Sequence, residues 1–367
     1  MSQENLNENN KSIQVNNSLV YLKLKENSHS RALKTIPDEN SNSFLVSTVS
    51  NNESEILKIN YDETNKKLTQ SQIISFKEKE DEMINDIYEI YPQNINDFFI
   101  NCFNFKKGEY ELKLIKKNES NEYEVENIQN TNSETTFDIN NYTNENNVIS
   151  FISNNKVQLI DLNKKSINGE IQLYEKETKP IKISSDFSLS DSTIISIGLN
   201  NNIFICDLTS QKIINQINDF KNNSILSIQY DPSNSYILCS TGTDYSIKFW
   251  DLRKPDIELG GIYNNSHWIW CNKFNQNYSN MLVTASSSSN VRCVIFNKFE
   301  NENDEFGFNK NLRVYSFIDY SEFEDSVYSV DWLKNDSWTF AAVSFNSYLH
   351  INTIPEDIKY KIMLWRK

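Results

Sequence analysis

The sequence predicts an all-β protein, a seven-bladed β-propeller of the WD40 type, on three observations. Residues 240–253 read S-T-G-T-D-Y-S-I-K-F-W-D-L-R: a strand ending near Ser240, a polar turn over Gly242 to Asp244, and a second strand from Ser246 to Trp250. The second strand alternates with period two, Ile247 and Phe249 on one side and Ser246, Lys248 and Trp250 on the other. It closes on the Trp-Asp pair that marks the third strand of a WD40 blade. The third observation is recurrence. The closing aromatics Phe187, Tyr230 and Phe274 lie 43 and 44 residues apart, which is the blade period.

Taken in order, Met1 to Lys11 is polar, and residues 1–17 read as a disordered tail ahead of a single propeller domain over 18–367. Leu19 to Leu24 alternates and is placed to close the ring against the last blade, because an open ring leaves two unpaired strand edges. Strand pairs follow at Phe44–Thr48 with Glu55–Ile59, at Phe98–Cys102 with Tyr110–Leu114, and at Val148–Ile152 with Val157–Asp161. First strands ending on an aromatic appear at Ile181–Phe187, Ser224–Tyr230, Ile269–Phe274 and Val327–Trp332. The last step, Phe274 to Trp332, is 58 residues, and its excess coincides with the acidic, Asn-rich stretch Lys298 to Asn311. We read that stretch as a surface loop inserted at about 298–313. Ile358 to Leu364 alternates and reads as an addition to the outer strand of the last blade; no stretch reads as a long amphipathic helix.

The chain has 367 residues, more than a single core supports, so its core must be spread over repeated units. Its formal charge of -14 argues against a nucleic-acid partner, whose affinity comes from Lys and Arg on phosphates. Gly is scarce at 7 residues and Asn is abundant, so Asn is expected to supply many positive-φ turn positions. Five cysteines form no C-x-x-C pair; three lie in apolar strand runs, which suits buried free thiols in a reducing compartment. No run approaches the ~20 apolar residues of a membrane span, and a cytoplasmic protein is expected. Three histidines, His29, His267 and His350, are too scattered for an H-E-x-x-H zinc site, and no nucleophile elbow, P-loop or dinucleotide fingerprint occurs. The expectation is therefore a protein-binding module with no catalytic residues, no metal and no cofactor.

Several segments resemble one family. Asp325 to Trp332, then Asp336 to Ala342, Ile351-Asn352, Pro355 and Lys359 to Leu364 are similar to the last blade and carboxy terminus of the EARP- and GARP-complex-interacting protein family. Ser266-His267-Trp268-Ile269-Trp270 resembles that family's S-H-W-V-W, Lys248 to Arg253 its K-F-W-D-x-R, and Ser30 to Leu33 with Phe44 to Val46 its first blade. The resemblance implies a scaffold that binds multisubunit vesicle-tethering complexes of the endosome-associated recycling and Golgi-associated retrograde types. It also implies a role in retrograde transport and endocytic recycling, with peripheral association to the trans-Golgi network and endosomes through the partner. A monomer is expected. The chain departs from the pattern where a His should precede the first strand: Asn265 stands there in blade six and Phe323 in blade seven, while Asn346 replaces a turn Asp. The His–Asp–Ser–Trp network of a standard blade is therefore expected to be incomplete.

Six residues are candidates for partner contact: Arg253, His267, Trp268, Trp270, Asp325 and Tyr328. Trp268 and Trp270 share a strand face and serve either packing or an exposed aromatic anchor. Asp325 orders a turn or meets a partner from the top face. Arg253 follows a third strand, where a guanidinium can fork onto a carboxylate. It also completes a W-D-x-R box, Trp250-Asp251-Leu252-Arg253, the docking signature of substrate receptors of cullin-type ubiquitin ligases, which is one rival reading. A histone-binding propeller, its acidic surface drawing basic tails, is the other.

Overall fold

The computed structural model describes residues 12–14 and 20–365, apart from 37–41, 51–52, 78–83, 93–96, 105, 121, 132–134, 140–147, 154, 162–165, 175–179, 189–192, 219–222, 264 and 297–313. The inserted loop and most of the amino-terminal tail lie outside the described residues. Seven antiparallel sheets follow one another along the chain, and they make a seven-bladed propeller. The sheets are built on the second strands Asn42–Ser50, Phe98–Asn104, Val148–Ser153, Ile194–Leu199, Asn234–Gly242, Met281–Ser286 and Thr339–Ser344. The strand pairs legible in the sequence are the central pairs of their blades. Gly242 is required at its turn because a Cβ there would meet the Ser224 carbonyl oxygen at 2.4 Å. Among the described residues Asn supplies positive φ only at Asn27 and Asn200; Lys66, Gln211, Tyr245, Ser289 and Ser347 take the same conformation.

Each blade is sandwiched, so both faces of a strand are buried and alternation sorts side chains between neighbouring blades. Ile247 and Phe249 pack with Phe274 and Phe296 of blade six, whereas Trp250 packs with Ile203, Ile205 and Ile217 of blade four. Lys248 is buried too and pairs with Asp244 at 3.1 Å. Of the expected polar network, Trp250 Nε1 donates to Ser240 Oγ at 2.8 Å. In blade seven Ser344 Oγ donates to Asn346 Oδ1 at 2.6 Å, and Phe323, in the His position, lies against the His350 ring at 4.2 Å.

A second set of polar contacts, not anticipated from sequence, joins the inner strands. Asp186 accepts from the Tyr230 amide at 2.6 Å, Gln229 from the Phe274 amide at 2.6 Å, and Asp331 from the Thr35 amide at 2.9 Å. In each case the residue before a closing aromatic or its equivalent reaches the next blade. These bonds satisfy backbone donors at the inner rim, where sheets diverge and cannot pair with each other.

Ring closure follows the expectation. Val20–Lys23 pairs antiparallel with Tyr348–Thr353 as the outer strand of blade seven, Val20 opposite Ile351 and Lys23 opposite Tyr348. A mixed core of Leu24, Phe44, Val46 and Leu57 with Leu333, Val343, Leu349 and Ile351 seals blade seven against blade one. Ser12–Gln14 adds a further, parallel strand beside Val314–Tyr320 in blade six. The carboxy terminus corrects the sequence reading: Glu356–Trp365 is an α-helix, not a strand extension. Ile358, Tyr360, Ile362 and Leu364 alternate as a strand would, but only Ile358 and Ile362, four residues apart, are buried, while Tyr360 and Leu364 are 63% and 66% exposed. A single-sided i, i+4 contact against the core of blades six and seven selects the helix.

His350 sits in this seam, buried beside Phe323 and Tyr21. Burial lowers its pKa from 6.5 to about 4. An unfolded chain binds a proton at His350 that the folded one refuses, so its contribution is complete above pH 6.5 and is lost as pH falls toward 4. The full shift corresponds to about 3 kcal/mol. We expect urea midpoints to fall between pH 7 and pH 4.5, and His350→Phe to flatten that slope; an unchanged slope in the variant rejects the assignment.

Candidate functional site

Four of the six candidate residues come together at one end of blades five to seven and one. Trp270 lies in the inner strand Ile269–Phe274 and Tyr328 in the inner strand Val327–Trp332, with ring centroids 4.8 Å apart. From Trp270 the rings continue to Trp268 at 5.7 Å, His267 at 6.0 Å and Tyr245 at 5.9 Å. From Tyr328 they continue the other way, to Phe345 at 5.6 Å and His29 at 5.1 Å. The result is an arc of seven rings across four blades.

Local bonds fix the arc. Trp270 Nε1 donates to Ser287 Oγ at 2.6 Å, the Ser287 amide donates to the Trp268 carbonyl at 2.9 Å, and Lys182 Nζ donates to the Trp270 carbonyl at 3.0 Å. The Trp268 amide donates to His267 Nδ1 at 2.9 Å. At the inner end the Arg31 guanidinium lies 5.1 Å from the Tyr328 ring and 5.6 Å from Phe345, a cation over two faces. At the outer end Tyr245 has φ of 63°. For so bulky a residue that left-handed backbone is uncommon and is held only by its surroundings. Tyr245 is 41% exposed, and Trp268, Trp270 and Tyr328 are half-buried, so ring surface remains open to solvent.

The sequence missed Tyr245, Phe345, His29 and Arg31 as members. Tyr245 and Phe345 both occupy the turn between second and third strands, at different positions of it, three residues and one residue past the second strand. Asp325 is at the rim, where Oδ1 accepts from the Ser326 amide at 2.6 Å and orders the loop into Val327–Trp332. Glu322 and Glu324 precede it and are exposed; Glu324 accepts from Asn346 at 3.4 Å.

Arg253 is not part of this arc. It follows Ile247–Asp251, at the far end of that strand from Tyr245. Its guanidinium grips Asp251 through Nε at 2.8 Å and Nη2 at 2.6 Å and lies 5.0 Å from the Tyr236 ring. Both carboxylate oxygens of the box Asp are thus engaged by the box Arg, which orders its own turn.

Inner strands of all seven blades surround a central cavity of about 300 Å³ in which Arg31, Lys34, Lys182 and Lys273 share the wall with Asp186. Burial raises the Asp186 pKa to about 6, against hydrogen bonds from the Tyr230 and Phe187 amides and the nearby Lys273 and Lys34 charges. All five cysteines are buried, and burial pushes the Cys206 thiol up to about 12, far from a reactive thiolate. Among the described residues no three His, Cys, Asp or Glu side chains group as metal ligands, and no helix is long and apolar enough to cross a membrane.

Comparison with known proteins agrees with this architecture. Residues 17–293 match the family model described as the EIPR1 beta-propeller. The chain is similar to "EARP and GARP complex-interacting protein 1" of Rattus norvegicus, 30% identical over 176 residues, covering 43% of this chain and 45% of the rat protein. The Homo sapiens protein of the same name is 29% identical over 177 residues, again 43% of this chain and 45% of the other. "EARP-interacting protein 1" of Caenorhabditis elegans is 24% identical over 159 residues, 40% and 44% of the two chains. The chain therefore spans less than half the length of the curated relatives it matches. With the model match covering most of the seven blades, the chain belongs to the EIPR1 beta-propeller family.

Proposed function

We propose that this propeller is a non-enzymatic scaffold that binds multisubunit vesicle-tethering complexes of the EARP and GARP kinds, and that the aromatic arc is its contact surface. In this reading it supports endosome-to-Golgi retrograde transport and endocytic recycling, and it meets membranes only through its partner, acting as a monomer in the cytoplasm. The observation that carries the reading is the arc itself: Trp268, Trp270, Tyr328 and Phe345 present connected ring surface from three successive segments of a rigid frame. Trp and Tyr dominate interface hot spots, and a preordered surface loses little entropy on docking. Family membership and the names of the relatives supply the class of partner.

The test is affinity purification of tagged protein at low salt, with mass spectrometry of the co-purifying chains. Wild type is expected to recover several tethering subunits in similar amounts. Tyr328→Ala with Trp270→Ala is expected to lower recovery at least ~30-fold, the equivalent of two lost anchors at ~1 kcal/mol or more each. Arg253→Ala, at the far end of the blade, is expected to leave recovery unchanged. Loss of recovery with Arg253→Ala alone, or retention in the double variant, would refute the placement.

A further inference from the structure

We propose that the outer end of the arc, Trp268 with Tyr245 and His267, is a seat for an arginine or lysine side chain carried on an extended segment of the partner. This rests on the reading above and adds the chemistry of the ligand. Three features of the site lead there.

The inner half of the arc already holds a cation of the chain's own, Arg31, over Tyr328 and Phe345. The outer half is more widely spaced, 5.7 to 6.0 Å against 4.8 to 5.6 Å, and among the described residues its three rings have ring contacts with one another and Trp270 and no cation over them. Trp268 is the best cation acceptor of the set, since indole has the strongest π face.

Two cations of the chain's own reach the arc, Arg31 over Tyr328 and Phe345 and Lys182 at the Trp270 carbonyl, and neither is placed at its outer end. Glu322, Glu324 and Asp325 lie on the loop that enters blade seven; Glu324 accepts from Asn346 and Asp325 from the Ser326 amide, and among the described residues none of the three is in an ion pair. That loop touches the turn beside Trp270, with Ser326 Oγ donating to the Ser287 carbonyl at 3.5 Å. The cations on neighbouring turns are spoken for: Lys248 by Asp244, Arg292 by Asp319, Lys25 by Glu53 and Glu55. Negative rim and open ring faces together fit a basic side chain, and they repel an acidic one.

The third feature is the strained turn. A tyrosine at φ of 63° where glycine or asparagine would sit more easily places its ring against His267 at the arc's end.

The test uses the full chain and three fluorescein-labelled Gly/Ser peptides of twelve residues, followed by anisotropy. One carries two arginines, the second citrulline at both positions and the third glutamate at both. The arginine peptide is expected to bind about tenfold more tightly than the citrulline peptide, and the glutamate peptide not at all. Trp268→Leu is expected to remove the arginine preference. Glu322→Gln with Glu324→Gln changes two exposed side chains and keeps an acceptor for Asn346, and is expected to weaken the arginine peptide and reduce its salt dependence. Equal binding of arginine and citrulline peptides, tighter binding of the glutamate peptide, or a preference that survives Trp268→Leu would each overturn the inference. The two readings separate cleanly. Lost tether recovery in the Trp270 and Tyr328 double variant without any arginine preference defeats the cation seat alone. An arginine preference with tether recovery intact in the double variant defeats the arc as the tether contact.

Discussion

Trp250→Ala is expected to destabilise the propeller by ~3–5 kcal/mol, the cost of emptying a buried aromatic site in a packed core. Trp250 is 1% exposed and packs at the junction of blades four and five with Ile203, Ile205, Ile217 and Leu238. Its Nε1 donates to Ser240 Oγ, itself fully buried, so truncation also strands a hydroxyl. Ile203, Ile205 and Leu238 belong to strands paired on both sides, which limits how far the seam can collapse into the space. Trp250→Phe separates the two parts: it keeps most of the ring volume and loses the hydrogen bond, and should recover all but ~1–2 kcal/mol. Chemical denaturation of the three proteins decides it. A loss below ~1 kcal/mol for the alanine variant would mean that blades four and five are not held by this contact.

The second large effect is electrostatic. Glu111 and Lys113 lie two apart on Glu109–Lys117, the third strand of blade two, and by alternation share the face toward blade one. Both are buried, Glu111 at 0% and Lys113 at 2% exposure. Their charges meet at 2.9 Å, and Lys107 adds a second ammonium at 3.0 Å. Burial alone would raise the Glu111 pKa, but hydrogen bonds from Lys113 and Lys107 and their charges outweigh it and hold the carboxyl below its usual value. Glu111→Ala leaves the Lys113 ammonium buried without its counter-charge and is expected to cost ~3–5 kcal/mol. Glu111→Leu with Lys113→Leu removes both charges and should recover most of that loss, since a buried pair is weak evidence of net stabilisation. The sign with pH follows from the lowered pKa: the stabilisation is present above the unfolded value near 4.3 and is lost as pH falls below it. Between pH 7 and pH 3.5 the wild-type midpoint should therefore fall further than that of the double-leucine protein. An equal fall in the two proteins would show that the pair is not ionised in the fold.

How much of this was legible before the structure depended on whether a residue's surroundings are local. The blade pattern was visible at Ile247 to Asp251 because strand alternation and turn chemistry are written within a few residues. Ring closure by Val20–Lys23 was visible because an unpaired edge must be covered. The helix Glu356–Trp365 was missed because I-K-Y-K-I-M-L satisfies both periods, and only contact with blades six and seven decides between them. Its start signals, Pro355 with acidic Glu356 and Asp357 in the first turn, were in plain sight. The site divides the same way. Trp268, Trp270 and Tyr328 stood out as aromatics at strand starts, but Tyr245, Phe345 and His29 join them only through blade adjacency. Arg253 is exposed, as it reads in the sequence, but nothing in the linear order shows the two Asp251 carboxylate oxygens turned onto its guanidinium.

The closing strand also sets a schedule for synthesis. Val20 to Lys23 leaves the ribosome long before its hydrogen-bonding partner, Tyr348 to Ile351. At ~5–20 residues per second the early segment waits on the order of 20–60 s with its apolar side chains unmatched. Six blades can form sheet by sheet during that interval, each stacking on the one before it, while the seventh stays a three-stranded sheet with an open edge. The ring can therefore lock only once residue 351 has emerged. A chain stalled short of residue 351 would display both a free strand and a free edge, the pairing combination that folding helpers and neighbouring nascent chains recognise most readily.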